Sequence, residues 1–204
     1  SKWVWIIDPI DGTKDFINQT GEFAVHIALW YEKKIILGFV PIPAKDEIWI
    51  SFDGIGTWCE SISKDSEIPI FKNSKQLKEM TILTSKTHLH PNFEVLLKEL
   101  KPKKIIGMGS IGYKVVSILK GVGDLYVSYS LPKGSCPKDW DVAAPMALIK
   151  SAGGQFTDID GNELDFLKND YKQSGILIAS MNKDHKAICR EIKDVMIREK
   201  LDYF

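Results

Sequence analysis

Residues 3–16 read W-V-W-I-I-D-P-I-D-G-T-K-D-F, and this stretch decides both the fold and the chemistry. Trp3 to Ile7 is a dense apolar run that reads as a short core strand. Asp8-Pro9 stops it, and Ile10-Asp11-Gly12-Thr13 follows as a turn. Two carboxylates three residues apart on a proline-stiffened turn can converge on one point. Oxygen-only ligands suit a hard cation, Mg²⁺ above all, which takes few carboxylates and completes its shell with water and substrate phosphate. Gly12 lets backbone approach a ligand closely, and Thr13 adds a hydroxyl and an N–H. Thr13-Lys14-Asp15-Phe16 can open a short helix whose first N–H groups favour an anion. Asp-Pro and Asp-Gly are also ordinary turn dipeptides that need no metal. The six residues together, directly behind an apolar strand, are the more specific signal.

Outward from this point the first half reads as strands. Phe23 to Tyr31 is apolar with loose alternation, and Ile35 to Val40 follows a short polar link, consistent with a hairpin. Pro41 and Pro43 end that strand, Glu47 to Ser51 is another, and Asp53-Gly54-Ile55-Gly56 is turn chemistry. The result is an antiparallel meander, with Trp30, Trp49 and Trp58 packing it and His26 as a core histidine. The second half alternates. Strand-like runs at Thr81–Thr84, Lys104–Met108, Asp124–Tyr129, Phe156–Ile159 and Ile176–Ala179 interleave with helical periodicity over Asn92–Leu100, Ile111–Lys120, Asp141–Ala152 and Lys183–Glu199. That pattern predicts a mixed or parallel sheet covered by helices. The expected division is residues 1–79, the acidic turn and antiparallel sheet, and 80–204, an α/β substrate-binding half.

A second acidic run, Lys138-Asp139-Trp140-Asp141-Val142-Ala143-Ala144-Pro145, opens one of those helices. Asp139 reads as an N-cap or first-turn acid favouring the helix dipole. Trp140 suggests a packed loop that aims Asp141, a third carboxylate to join Asp8 and Asp11. The 204 residues hold 27 Lys and Arg against 27 Asp and Glu, a net charge of zero. That excludes a polyanion-binding surface built on bulk charge, so no nucleic-acid polymer is expected as a partner. No apolar run approaches the ~20 residues of a membrane span. Three scattered cysteines fit neither a disulfide framework nor a zinc site, and the expected setting is reducing and cytoplasmic. The chain starts at Ser1 without an initiator Met and enters an apolar run two residues later, which leads to the expectation of further sequence upstream.

The runs at 5–16 and 140–145 resemble the two signature motifs of the inositol monophosphatase family of Mg²⁺-dependent, lithium-sensitive phosphatases. Asp11-Gly12-Thr13-Lys14 is closer to its 3′(2′),5′-bisphosphate nucleotidase branch, which removes the 3′-phosphate of adenosine 3′,5′-bisphosphate, a reaction of sulfur metabolism. Gly109 to Lys114, Cys136 to Asp141 and Gly153 to Asn162 are similar to the family too. The resemblance implies an α/β (α+β layered) fold of the inositol monophosphatase/fructose-bisphosphatase type, an α-β-α-β-α sandwich. It also implies two helices ahead of the first strand, bearing an acid that orients the attacking water and a Glu-Glu metal site. Neither is present in this sequence, and a chain without them is expected to be poorly active.

The resemblance further implies a metal set of Asp8, the Ile10 carbonyl, Asp11 and Asp141, with hydrolysis by a metal-activated water and no covalent phospho-enzyme. Gly12 and Thr13 would hold the phosphate through backbone N–H groups, and the Thr13 hydroxyl would help orient the water. Ser85 and His88 would contact the nucleotide. Ser110 and Lys114 are the next pair, with Lys114 reaching the second phosphate as a point charge. For Lys114 a solvated helix lysine is the plain alternative, as a surface role is for His90. The expected partner is a small phosphorylated nucleotide, bound by a monomer or homodimer. An inositol or sugar phosphate is the runner-up substrate, and a fragment that binds nucleotide or partners without turnover is a third reading.

Overall fold

Short polar links between apolar runs force neighbouring strands to pair locally. In the computed structural model, which describes residues 3–61, 63, 70–86, 90–131 and 133–201, they do so. Strands β1 (Trp3–Asp11), β2 (Ala24–Tyr31), β3 (Lys34–Ile42), β4 (Glu47–Phe52) and β5 (Gly56–Glu60) form one antiparallel sheet in chain order. A five-residue helix, α1 (Thr13–Ile17), stands between β1 and β2.

Three boundaries differ from the sequence expectation. Strand β1 runs through Asp8 and Pro9 to Asp11, with an irregular register between the Asp8–His26 and Asp11–Ala24 pairs. Pro9 is tolerated there because β1 is an edge strand, where no ladder hydrogen bond is lost. Pro41 likewise lies inside β3, opposite Ile48. Pairing of β3 with β2 ends at Phe39, so the proline sits where only β4 needs a partner. Strand β5, which pairs through Ile50–Trp58, was hidden behind the turn residues that precede it.

The second sheet has the order β7-β6-β8-β10-β9, with β6 (Thr81–Ser85), β7 (Lys104–Met108), β8 (Leu125–Ser130), β9 (Gln155–Asp158) and β10 (Gly175–Ser180). Strand β6 is parallel to both β7 and β8, while β10 is antiparallel to β8 and β9, so the sheet is mixed as expected. Four further α-helices stand among the described residues: α2 (Pro91–Leu100), α3 (Ile111–Leu119), α4 (Asp139–Ser151) and α5 (His185–Arg198).

Alternation along the second sheet sorts its two faces. Leu83, Tyr126, Leu177 and Ala179 join α3, α4 and the inner face of the first sheet in one core. Ile82, Leu125, Val127, Ile176 and Ile178 join α2 and α5 in a second. The layers therefore run sheet, α3 with α4, sheet, α2 with α5. Helices α3 and α4 are apolar nearly all round because both their sides are buried, whereas α5 keeps a charged outer face. Helix α4 lies so close to the first sheet that a Cβ on Gly38 would stand 2.7 Å from the Ala147 Cβ and 2.8 Å from the Ala144 carbonyl.

The route β6–α2–β7 turns to one side of β6 and β7–α3–β8 to the other. The carboxyl ends of β6 and β8 therefore flank a topological switch point, where open α/β sheets leave a crevice for ligands.

Two outcomes test this packing. Gly38→Ala forces α4 off the sheet and is expected to cost about 1–3 kcal/mol of stability, the range for overpacking a filled core, read from urea midpoints. His185, wholly buried between the Thr157 hydroxyl (2.9 Å) and the Ser180 hydroxyl (2.8 Å), is held by burial at a pKa of about 4, below the usual histidine range. The folded chain keeps it neutral while the unfolded chain takes up the proton. Stability is expected to fall as pH drops from about 6.5 toward 4. Part of that slope should vanish in His185→Gln.

Candidate active site

The end of β1 and the first turns of α3 and α4 meet where the two sheets face each other. Asp8, Asp11 and Asp141 each place one carboxylate oxygen within 4.8 Å of the other two. Like charges this close repel, and the backbone holds each in place. Asp11 Oδ2 accepts from the Ile111 N–H (2.6 Å) and the Ser110 hydroxyl (2.7 Å), the N-terminal turn and cap of α3. Asp141 accepts from the Lys138 N–H (2.6 Å), which caps α4. Asp8 accepts from the Ile10 N–H at 3.0 Å. Two helix N-termini thus supply partial positive charge to one acidic point.

That compensation is incomplete. Burial pushes the Asp141 carboxyl up to about 7, and the neighbouring Asp11 and Asp8 charges push the same way against the Lys138 N–H. A set of hard oxygens that resists full ionisation is what a divalent cation would relieve, so the residues present fit Mg²⁺. The Ile10 carbonyl stands in the same turn and accepts from the Thr13 hydroxyl at 3.2 Å. Gly12, at φ 86°, has room for no side chain: a Cβ would meet the Glu22 carbonyl at 3.0 Å and the Ser110 nitrogen at 3.1 Å.

Several residues here escaped the sequence reading. His26, wholly buried, stands with Nε2 3.4 Å from Asp11 and Nδ1 3.3 Å from the Trp140 carbonyl. Its signal was a polar residue at an inward position of an apolar strand, read there as core only. Lys86 bridges Asp15 (2.9 Å) and Glu22 (2.8 Å). Glu22 in turn accepts from the Gly109 N–H at 2.8 Å. Burial works against the Asp15 charge, but the Thr20 hydroxyl and Lys86 hold its carboxyl below the usual range. This lattice ties α1, the Gly109–Ser110 turn and the end of β6 into one piece.

The structure separates the other expectations. Lys114 is not a solvated helix lysine: it is 2 % exposed, donates to the Gly109 and Ser110 carbonyls, and lies 5.6 Å over the Tyr126 ring. Burial pulls its pKa down to about 8. Ser110 is buried on Asp11, and Ser85 is exposed at the end of β6. His88 lies outside the described residues. His90 caps α2 by accepting from the Asn92 N–H and packs on Tyr129. Asp139 is a first-turn acid of α4 as expected, but it is not free to serve the helix alone. It is 1 % exposed and anchors the β9–β10 connection through the Leu167 N–H (2.6 Å) and Gln173 (2.7 Å). Trp140 is 38 % exposed against Tyr171, so its carbonyl and not its ring serves the site.

Two clefts open from the acidic point. One, of about 510 Å³, follows the switch-point crevice and is lined by Ser85, Phe93, Tyr126, Tyr129, Cys136 and Asp141 among others. The other, of about 400 Å³, runs past Thr13, Asp15, Lys86 and Lys114. Gly12 and Lys14 line both.

Two sheets around a shared helical layer, with an acidic cluster at their junction, define a layered α/β protein with a metal-type site. Residues 1–196 match the model of the inositol monophosphatase family, and the chain belongs to that family. It is 30 % identical over 162 residues to the 3′(2′),5′-bisphosphate nucleotidase CysQ of Escherichia coli, covering 79 % of this chain and 61 % of that protein. It is 28 % identical over 171 residues to the inositol-1-monophosphatase of Bacillus subtilis, 81 % of this chain and 60 % of that one. An inositol monophosphatase structure from Zymomonas mobilis superposes with a TM-score of 0.77 at 23 % identity, over 95 % of this chain and 71 % of that one. The chain thus spans about three fifths of the length of these two curated relatives. No helix among the described residues is long and apolar enough to cross a membrane.

If the acidic point binds Mg²⁺, the cation stabilises the fold by about 2.7 kcal/mol at a hundred times its Kd. Thermal unfolding with and without Mg²⁺ should show that gain shrinking sharply in Asp11→Asn and Asp141→Asn. Without metal, Asp141→Asn should be no less stable than the parent, because its charge is disfavoured there. An undiminished Mg²⁺ response in both variants would move the metal site elsewhere.

Proposed function

We propose that this site serves a Mg²⁺-dependent phosphatase that removes the 3′-phosphate of adenosine 3′,5′-bisphosphate, giving AMP and phosphate. The carrying observation is the three-carboxylate point at the mouth of a crevice walled by aromatic rings. Asp8, Asp11, Asp141 and the Ile10 carbonyl would hold the metal. When bound, Mg²⁺ neutralises charge on the reacting phosphate and makes water a better nucleophile.

The chain's own residues do the rest. Gly12 and Thr13 hold the phosphate over the acidic point through backbone N–H groups, and the Thr13 hydroxyl orients the attacking water. Asp11 is held in place by the Ser110 hydroxyl and the Ile111 N–H, which both donate to its Oδ2. Phe93, Tyr126 and half-buried Tyr129 line the larger cleft, whose ~510 Å³ is the size of a small-molecule site. Phe93 and Tyr126 are buried behind this wall, and half-buried Tyr129 is the ring that a flat base suits better than a polyhydroxylated one. Ser85 and His88 stand for nucleotide contact, while Lys114, buried on the Gly109 and Ser110 carbonyls, supports the wall of the smaller cleft instead of reaching a second phosphate.

The likeness to the Bacillus subtilis enzyme supports a second reading, an inositol monophosphate as substrate. Steady-state phosphate release at saturating Mg²⁺, with calorimetric binding alongside, separates the two. Adenosine 3′,5′-bisphosphate is expected to give the higher kcat/KM and the tighter binding. A preference for inositol 1-phosphate moves the assignment to the second reading. Nucleotide binding without phosphate release, in this chain and in one extended upstream, leaves a binding role only.

A further inference from the structure

Gly109 and Ser110 alone join β7 to α3, and every backbone polar group of this link has a partner. The Gly109 N–H donates to the Glu22 carboxylate at 2.8 Å, and the Ser110 N–H donates to the Glu22 carbonyl at 3.1 Å. Both carbonyls of the link accept from the Lys114 ammonium. One residue between α1 and β2 therefore takes both donors, and one buried lysine of α3 supplies both acceptors. The fit needs glycine at 109. A Cβ there would lie 2.2 Å from the Glu22 carbonyl and 2.5 Å from Asp15 Oδ2.

The link so held delivers the next two donors. The Ser110 hydroxyl and the Ile111 N–H both meet Asp11 Oδ2. We propose that Glu22 is a positioning residue for Asp11. Its carboxylate fixes the Gly109 peptide, the link fixes Ser110 and Ile111, and these aim the Asp11 carboxylate at the acidic point. Lys86 anchors Glu22 from behind the link. It reaches Glu22 Oε2, the oxygen that Gly109 uses, at 2.8 Å and Asp15 at 2.9 Å. A charged acceptor makes the Gly109 bond one of the stronger kind. The functional consequence rests on the acidic point being a Mg²⁺ site; the path from Glu22 to Asp11 rests on hydrogen bonds alone.

Two measurements on the chain as it stands test this. In the metal-free protein, Glu22→Ala is expected to speed amide hydrogen exchange at Ile111 about tenfold, while Val115 and Ile118 further along α3 keep their rates. In calorimetric titration with Mg²⁺, the same variant should raise the dissociation constant about tenfold, the low end for outer partners of a metal ligand. Glu22→Gln should stay within about threefold of the parent, because its amide oxygen still accepts from the Gly109 N–H. Ser110→Ala should add little to Glu22→Ala, since both act along one path. Lys75→Ala, which breaks the ion pair to Asp124 at the opposite end of β8, should leave Mg²⁺ affinity unchanged. If Glu22→Ala loses its circular dichroism, Glu22→Asp, one methylene shorter, carries the same comparisons. An unchanged Ile111 rate overturns the proposal, as does unchanged affinity in a parent that binds Mg²⁺. So do fully additive Glu22 and Ser110 effects, or a Glu22→Gln variant as weak as Glu22→Ala. A parent that binds no Mg²⁺ removes the metal reading alone, and the Ile111 rate then decides the positioning role by itself.

Discussion

Everything in this molecule is arranged around the repulsion of three carboxylates. Asp8, Asp11 and Asp141 come from two chain regions separated by more than a hundred residues and are held within 4.8 Å. Left in a low-dielectric junction, such a group would drift apart or take up protons. Short backbone hydrogen bonds prevent the first, and those to Asp11 and Asp141 come from the opening turns of α3 and α4. The second is only partly resisted, since Asp141 remains pushed up to about 7 by burial and by its neighbours. The site is therefore built tense, and a cation or a proton is the natural release.

That demand explains the layering. For α3 and α4 to aim their N-termini at one point, both must lie in the same layer with their starts at the same end. The two sheets hold them there by burying almost every side chain they carry. Gly38 on the sheet side and the alanines of α4 make the approach close enough that the β1 end reaches Asp141. The switch point of the second sheet then opens its crevice beside the carboxylates, because α3 is the connection that makes the switch. The acidic point and the crevice are thus neighbours by topology: the point sits at the junction, and the crevice walls come from β6, β8 and α2.

Much of this was legible in the sequence where the signal was local. Apolar periodicity marked nearly every element of the second half within two residues, and the two Asp motifs named all three clustered carboxylates. What escaped was set by distant partners. Nothing near Asp139 shows that Leu167 and Gln173 will claim it. Lys114 has a helix-surface spacing and becomes a buried amine only because Tyr126 and the Gly109 turn close over it. The lattice of Lys86, Asp15 and Glu22 joins three separate segments, none of which signals the others. Proline was over-read for a related reason: whether Pro9 or Pro41 ends a strand depends on which neighbour needs its N–H, and that is a property of the sheet.

Strand β1 couples the two main surfaces of the protein. Its inward positions, Val4, Ile6 and Asp8, run from the core into the acidic point, and its outward positions, Trp3, Trp5 and Ile7, form the exposed apolar edge. Side-chain direction alternates along a strand, so a slip of one residue would turn Asp8 outward and bring Ile7 to the carboxylate cluster. An edge strand has only one neighbour to set its register, and here that ladder becomes irregular between Asp8 and Asp11. What fixes Asp8 is then the burial of Ile6 beneath it and the Ile10 N–H beyond it. Asp8 therefore takes its place in the carboxylate cluster from contacts made by its neighbours along the strand.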